Sequence, residues 1–518
     1  MTARSLPCML LHDDFEASVR RHPNKTALIC GAERHSYADI DRLATTFAAQ
    51  LQRAGIERGD RVALLLDNRV EMVAGVYAAL KIGAVFMPVN PLTKADKLTY
   101  LLNDARASAL ITQATLASVY RVALAANSSV RLCAVAGSVR GDGPSDAREQ
   151  TLASADAAVP LPTVATIDQD LAAIVYTSGS TGFPKGVMLS HLNMRTAAAS
   201  VSSYLGLRED DVILCALPLA FDYGLYQVLM ALRLGATVVL ERSFSFPAKV
   251  LETMARERVT VFPGVPTMFS MLFELPQLLA STDLSALRLI TNTAAALSEA
   301  HIARLRTLFP QATLFSMYGL TECKRVTYLP PDQLDWRPTS VGRGMPNEEL
   351  WLVDEHGQRL PHGSTGELVI RGSHVMRGYW EKPAETAERL KPGPLPGESV
   401  LYSGDIFRSD AEGYLYFVAR KDDVIKSRGE KVSPREVENV LYALDGVREA
   451  AVVGVPDPVL GEAVKAVVAL RPGCNLSERD VIKHCLAHLE SFMAPRYVEF
   501  VDSLPKTDTG KIKKTGLA

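Results

Sequence analysis

A surplus of charge of either sign is missing from this chain: 56 Lys and Arg stand against 58 Asp and Glu, a formal net charge of −2. No basic tract is longer than Lys511-Ile-Lys-Lys514. That balance gives no electrostatic footprint for nucleic acid. Cysteine is sparse and scattered, seven in 518 residues, with no C-x-x-C pair. An odd, dispersed set argues against a disulfide framework and fits reduced thiols in the cytoplasm, serving as small core residues. Long hydrophobic runs are also missing. The stretch 1–14 has too short an apolar run for a signal peptide. The most apolar region, 212–240, is interrupted by Pro218, Asp222 and Arg233, so it reads as buried strands and a helix rather than a membrane span. There is no internal repeat and no long low-complexity segment.

What is present is enough for a large core. Apolar residues make up 47% of the chain, and 518 residues exceed one ordinary domain. Strand-like runs at 61–66 and 84–89 flank a helical pattern at 70–82, and similar runs recur at 107–113, 171–175, 211–217, 235–240, 259–262 and 286–291. This alternation predicts an α/β fold of layered, largely parallel sheets. Residues 134–167, rich in Ala, Ser, Asp, Gly and Pro, read as a surface connection. From 350 onward, short alternating strands between Gly/Pro turns predict a small β-rich subdomain. A boundary falls near Ala419-Arg-Lys-Asp-Asp-Val424, giving a large domain over 1–420 and a small α+β domain over 421–518.

Residues 176–186, Tyr-Thr-Ser-Gly-Ser-Thr-Gly-Phe-Pro-Lys-Gly, carry the strongest chemical signal. Three glycines and four hydroxyl residues follow a strand-like run. Such a loop leaves backbone N–H groups free to converge on an anion, and Lys185 adds a positive charge. The Walker pattern fails, because Lys185 precedes a glycine rather than following one, and the dinucleotide pattern G-x-G-x-x-G fails too. The loop suits triphosphate without being a Walker loop.

Further motifs follow: Tyr318-Gly-Leu-Thr-Glu322 after a strand-like run, Tyr402-Ser-Gly-Asp405 between strand-like runs, Ala419 to Gly429 across the boundary, and Pro505-Lys-Thr-Asp-Thr-Gly-Lys511. Together with the 176–186 loop, and in this order over essentially the whole chain, they resemble the adenylate-forming superfamily. That superfamily includes acyl- and aryl-CoA synthetases, nonribosomal peptide synthetase adenylation domains and luciferase. The resemblance implies attack of a carboxylate on the α-phosphate of ATP, giving an acyl-adenylate and pyrophosphate, and then displacement of AMP by a thiol. Positioning and charge stabilisation carry such a first step.

The same resemblance implies residue roles. Thr177, Ser178, Gly179, Ser180, Thr181, Gly182 and Lys185 would wrap the β- and γ-phosphates. Tyr318 would stack on adenine, and Thr321 would touch the α-phosphate. Glu322 would hold Mg²⁺, a hard cation suited to oxygen ligands. Asp405 would accept bonds from the ribose hydroxyls, with Arg420 as a second ribose contact. Lys511 would bridge the acid carboxylate and the α-phosphate, and Asp422 would be the hinge of a mobile small domain. Ser403 and Ala419 stand where the family commonly has Thr and Gly, with little lost.

The acid is less legible. Pro218 to Leu225 falls on the family's acyl-pocket segment, and its Phe-Asp resembles that of amino-acid-activating members. Asp222 needs a partner, because a buried unpaired carboxylate is costly. Three partners fit: a substrate amine, an internal arginine such as Arg325, or backbone donors. Tyr223 and Tyr226 suit an aromatic or medium-sized acid or are core residues, and Asn292 completes the expected pocket. With seven residues after Lys511 and no carrier domain following, the expected acceptor is free coenzyme A or the phosphopantetheine of a separate carrier protein. The expected activity is an acyl-CoA-synthetase-like ligase. The alternatives are a stand-alone enzyme loading an amino-substituted acid onto a carrier protein, a luciferase-like oxidative use of the adenylate, and a non-catalytic ATP-binding protein. No integral membrane segment and no nucleic-acid partner are expected.

Overall fold

The computed structural model describes residues 9–137, 146–154, 161, 164–177, 184–293, 297–421, 423, 425–427, 430–457, 461–489, 491–507 and 512–518. Two large sheets dominate it, of nine and eight strands among the described residues. In the first, Thr313–Tyr318, Leu289–Asn292, Val261–Gly264, Val212–Cys215, Thr237–Leu240 and Thr26–Cys30 run parallel in that order. In the second, Leu171–Thr177, Val85–Val89, Arg61–Leu65, Ala109–Gln113, Leu132–Ala136 and Glu149–Thr151 run parallel. Lys185–Ser190 and Gly378–Tyr379 join its edge antiparallel.

Near-continuous apolar strands such as Val62-Ala-Leu-Leu65 are what a sheet covered on both faces needs. The helix Val70–Lys81 buries every residue from Met72 to Leu80. A helix apolar all round belongs between layers, and one core joins it to strands of both sheets and to the helices Tyr37–Arg53 and Asp222–Leu234. Its mid-helix Gly75 has a packing reason: a Cβ there would lie 3.1 Å from Leu64 Cδ2. The layered α/β expectation therefore holds, with most of the alternating elements where the pattern put them.

Two local readings are corrected. The region read as a surface connection, 134–167, includes the end of Leu132–Ala136 and the short outer strand Glu149–Thr151. Tyr402–Asp405 does not lie between strands but inside the strand Ser399–Ser409. Gly404 sits there at φ +72°, a conformation open to glycine, and the pairing with Leu415–Arg420 shifts register just beyond it. Those two strands belong to an antiparallel five-stranded sheet, the expected β-rich subdomain. Among the described residues, the C-terminal part is a second five-stranded sheet carrying the helices Pro434–Ala443 and Glu478–His488 over its own core. No helix among the described residues is long and apolar enough to cross a membrane.

Candidate active site

Parallel sheets bind ligands beyond the carboxyl ends of their strands. Tyr318 and Asn292 are the last residues of neighbouring strands in the nine-stranded sheet, and Thr177 is the last of its strand in the other. Asp222 opens the helix Asp222–Leu234 after the strand Val212–Cys215. Thr177, Asn292 and Tyr318 thus stand at the carboxyl ends of their strands.

Tyr318 is half-buried, with its ring edge-on to Phe407 at 4.9 Å. Its hydroxyl donates to Asp405 Oδ2 at 2.6 Å. Asp405 stands opposite Arg420 in the register, and Arg420 Nε lies 4.0 Å from Asp405 Oδ1. Burial pushes the Asp405 carboxyl above its usual range, while the Tyr318 hydroxyl and the guanidiniums of Arg420 and Arg389 oppose that shift. Glu322 adds to the upward push on Asp405.

Glu322 sits in the turn after Tyr318. Its Oε1 accepts from the Tyr379 hydroxyl at 2.7 Å, and its backbone carbonyl accepts from Met376 N at 2.7 Å. Lys185 Nζ lies 5.4 Å from the centre of the Tyr379 ring. Tyr379 therefore joins Lys185, at the exit of the glycine-hydroxyl loop, to Glu322. Thr321 is half-buried beside it. The hairpin that carries the loop pairs Thr177 with Lys185, and the Thr177 hydroxyl donates to the Lys185 carbonyl at 3.5 Å, the limit of such a bond. The turn from Tyr318 to Glu322 is tight. A Cβ on Gly319 would strike the Lys324 carbonyl and lie 2.9 Å from Arg325 Cα.

Mg²⁺ is held in many nucleotide sites by one or two carboxylates together with substrate phosphates. A lone Glu322 whose one oxygen is fixed by Tyr379 fits that donor set. Among the described residues there is no group of three or more His, Cys, Asp and Glu suited to an all-protein metal site.

The pocket segment gives an answer for Asp222. Its partner is Lys324, whose Nζ donates to the Asp222 carbonyl at 2.8 Å and lies 3.4 Å from Asp222 Oδ2. The Lys324 ammonium also lies 4.4 Å from the centre of the Tyr226 ring and 5.6 Å from that of Tyr223, within cation–π reach. Burial, with the nearby Arg325 charge, brings the Lys324 pKa down to about 7, against the pull of Asp222. Arg325, one of the three partners the sequence left open, instead lies over Tyr223 at 5.2 Å. Tyr223 and Tyr226 are buried, and the Tyr223 hydroxyl bonds Thr291, donating to its carbonyl at 2.8 Å. Asn292, fully buried, ends the adjacent strand.

Ser178, Gly179, Ser180, Thr181, Gly182, Asp422 and Lys511 lie outside the described residues. Tyr379 and Lys324 were missed from sequence. Tyr379 had a weak signal in Gly378-Tyr379-Trp380, but only the strand pairing of Tyr379 with Val187 brings it to Lys185. A buried pair, Glu348 and His374, was missed as well. His374 Nε2 lies 3.0 Å from Glu348 Oε2, and burial pushes the carboxyl up and the imidazole down to about 4.

Tyr318 bonded to Asp405, and Glu322 bonded to Tyr379 beside Lys185, are the arrangement that the nucleotide-site motifs of the sequence bring together. Residues 15–380 match the family described as AMP-binding enzyme, and residues 436–511 match the AMP-binding enzyme C-terminal domain. The chain belongs to that family, within the adenylate-forming superfamily. Feruloyl-CoA synthase of an Amycolatopsis species is 36% identical over 498 residues, 96% of each chain. Long-chain-fatty-acid–CoA ligase of Bacillus subtilis strain 168 is 31% identical, covering 99% of this chain and 94% of its own. Among solved structures, the anthranilate CoA ligase AuaEII in complex with anthranoyl-AMP has a TM-score of 0.89 at 28% identity, covering 100% of this chain and 98% of that one. The protein is an ATP-dependent, AMP-forming acid–thiol ligase of the acyl-CoA-synthetase kind.

Proposed function

We propose that this enzyme adenylates a carboxylic acid at the site between Asp405 and Asp222 and passes the acyl group to coenzyme A. The observation that carries the reading is the meeting of two groups at the strand ends: Tyr318 bonded to Asp405, and Glu322 bonded to Tyr379 beside Lys185. In this reading Asp405 and Arg420 take the ribose hydroxyls, and the Tyr318 ring faces adenine. Glu322 would hold Mg²⁺, which neutralises charge on the phosphates when bound. Lys185, Thr177 and the loop 178–182 orient the β- and γ-phosphates, and Thr321 contacts the α-phosphate. Lys511 bridges the acid and the α-phosphate during adenylation. Preorganised donors of this kind stabilise charge as it develops on the transferring phosphorus.

The division into 1–420 and 421–518, with rotation about Asp422 between the half-reactions, is part of the same proposal. Asp422→Pro is expected to slow thioester formation more than adenylation, and equal loss in both would sink the rotation. Coenzyme A is favoured over a carrier protein because Asp222, the best support for an amino-acid-loading enzyme, already has an internal ammonium. Free thiols at Cys30, Cys133, Cys215, Cys323, Cys474 and Cys485 support a reducing, cytoplasmic setting. The test is pyrophosphate exchange over a panel of acids, followed by thioester detection with coenzyme A and with carrier proteins. Exchange with one or more acids and a coenzyme A thioester are expected. Absence of exchange with every acid refutes the reading.

A further inference from the structure

We propose that Lys324 is a specificity-determining residue: its ammonium occupies Asp222 as a built-in substitute for a substrate ammonium, so the pocket takes acids without a cationic substituent and rejects amino-substituted ones. The inference rests on the ligase reading above and names the substrate class of its acid pocket.

The contacts of Lys324 are those a bound ammonium would make. Nζ has the Asp222 carbonyl at 2.8 Å, the Asp222 carboxylate at 3.4 Å and the faces of Tyr226 and Tyr223 around it. The side chain of Lys324 is 2% exposed, whereas Asp222 keeps 27% of its surface. A substrate ammonium reaching Asp222 would therefore find its position already filled by Lys324 Nζ, and it would face like charge wherever that group carries its proton, with little water to screen it. Displacing Lys324 would strand a buried cation, because the residue has almost no solvent to turn to. Arg325 is next in the chain, also buried, and lies over Tyr223 at 5.2 Å, so a second basic side chain lines the same ring.

The backbone points the same way. Lys324 sits at φ +67°, in the left-handed region that a lysine rarely adopts. Gly319 packs directly against its carbonyl, and its neighbour Arg325 N donates to Cys323 O at 2.8 Å. Strain of this kind persists where the surroundings fix it, and it gathers at binding sites. Lys324 lies two residues from Glu322, the glutamate assigned to the metal.

The test uses matched acids differing only by an amine, such as phenylalanine with 3-phenylpropanoate and 3-aminobutanoate with butanoate. Pyrophosphate exchange is measured for wild type, Lys324→Met and Lys324→Gln, with ATP titration as the control for folding. Like charges forced together discriminate strongly, so wild type is expected to favour the amine-free partner by about tenfold or more. Both variants should raise the amino-to-amine-free ratio by about tenfold, and Asp222→Asn added to either should abolish that gain. An unchanged ratio in the variants, or a gain that survives Asp222→Asn, overturns the proposal. If neither variant folds, the wild-type pairs decide: a preference below tenfold, or one for the amine, overturns it. Exchange with amino acids alone would leave the ligase standing and remove this inference. Exchange with no acid at all would remove both.

Discussion

Replacing Tyr318 by Phe keeps the ring beside Phe407 and deletes only the hydroxyl that meets Asp405. At 2.6 Å this is a charge-assisted bond, a class worth roughly 1.5–3 kcal/mol. The Asp405 side chain retains 13% exposure, so water recovers part of the loss. The lower end of the range applies, and about tenfold weaker ATP binding is expected, since 1.4 kcal/mol is one factor of ten. The effect should fall on KM for ATP in pyrophosphate exchange and on direct ATP titration, with a smaller change in kcat. Asp405→Asn and the double variant complete a thermodynamic cycle, whose coupling should reach about 1 kcal/mol. A pH effect accompanies it. Burial already raises the Asp405 carboxyl and the Tyr318 hydroxyl holds it down, so deleting the hydroxyl raises it further. The ionised carboxylate is the form that accepts from the ribose, so the acid limb of kcat/KM for ATP should move to higher pH. Additive effects within about 0.5 kcal/mol, with an unmoved acid limb, would refute the pairing as a binding device.

Tyr379→Phe removes the donor that fixes Glu322 at 2.7 Å and should raise the Mg²⁺ concentration needed for half-maximal exchange, with ATP titration in the absence of metal unchanged. An unaltered Mg²⁺ dependence would count against Glu322 as the metal residue. Gly319→Ala places a methyl group on the Lys324 carbonyl and against Arg325 Cα, and backbone cannot give way as a flexible side chain does. It should cost about 1–3 kcal/mol of stability and abolish exchange, read by urea melts and activity; a folded, active variant would show that this turn is slack. Burial holds His191 and His301 at about 4, below the ordinary 6.5. The native state refuses protons that the unfolded chain accepts, so their stability contribution is complete above pH 6.5 and is lost as pH falls towards 4. Each should remove roughly 3 kcal/mol over that window. Urea midpoints at pH 7, 5.5 and 4.5 measure the slope, and His301→Gln should flatten it; an identical slope in that variant would be fatal to the assignment.

The fold was legible because a parallel sheet covered on both faces leaves a plain mark. Runs such as Val62-Ala-Leu-Leu65, followed by a helix buried from Met72 to Leu80, have no other comfortable place. The candidate ATP-site motifs stood out in the sequence for a related reason: they are short segments where glycine permits a tight approach, as at Gly319 and Gly404. The strand at 149–151 was hidden because three polar residues at a sheet edge need no apolar alternation. Asp405 was placed between strands because Ser403-Gly-Asp405 has turn chemistry, yet neighbouring strands hold it in a bulged ladder.

The acid pocket resisted reading because a charge partner is a fact of three dimensions. Asp222 and its cation are 102 residues apart, and Lys324 and Arg325 are adjacent, basic and equally buried. Composition gives no ground for choosing between them. The choice is made by the backbone: at φ +67° Lys324 turns out of the path of an extended chain, and its ammonium ends on Asp222, while the guanidinium of Arg325 ends over Tyr223. A motif that suggests an ammonium-binding aspartate is therefore compatible with the opposite specificity. Lys324 lies two residues from Glu322, so in the proposed reading acid selection and phosphate chemistry share one short segment of chain.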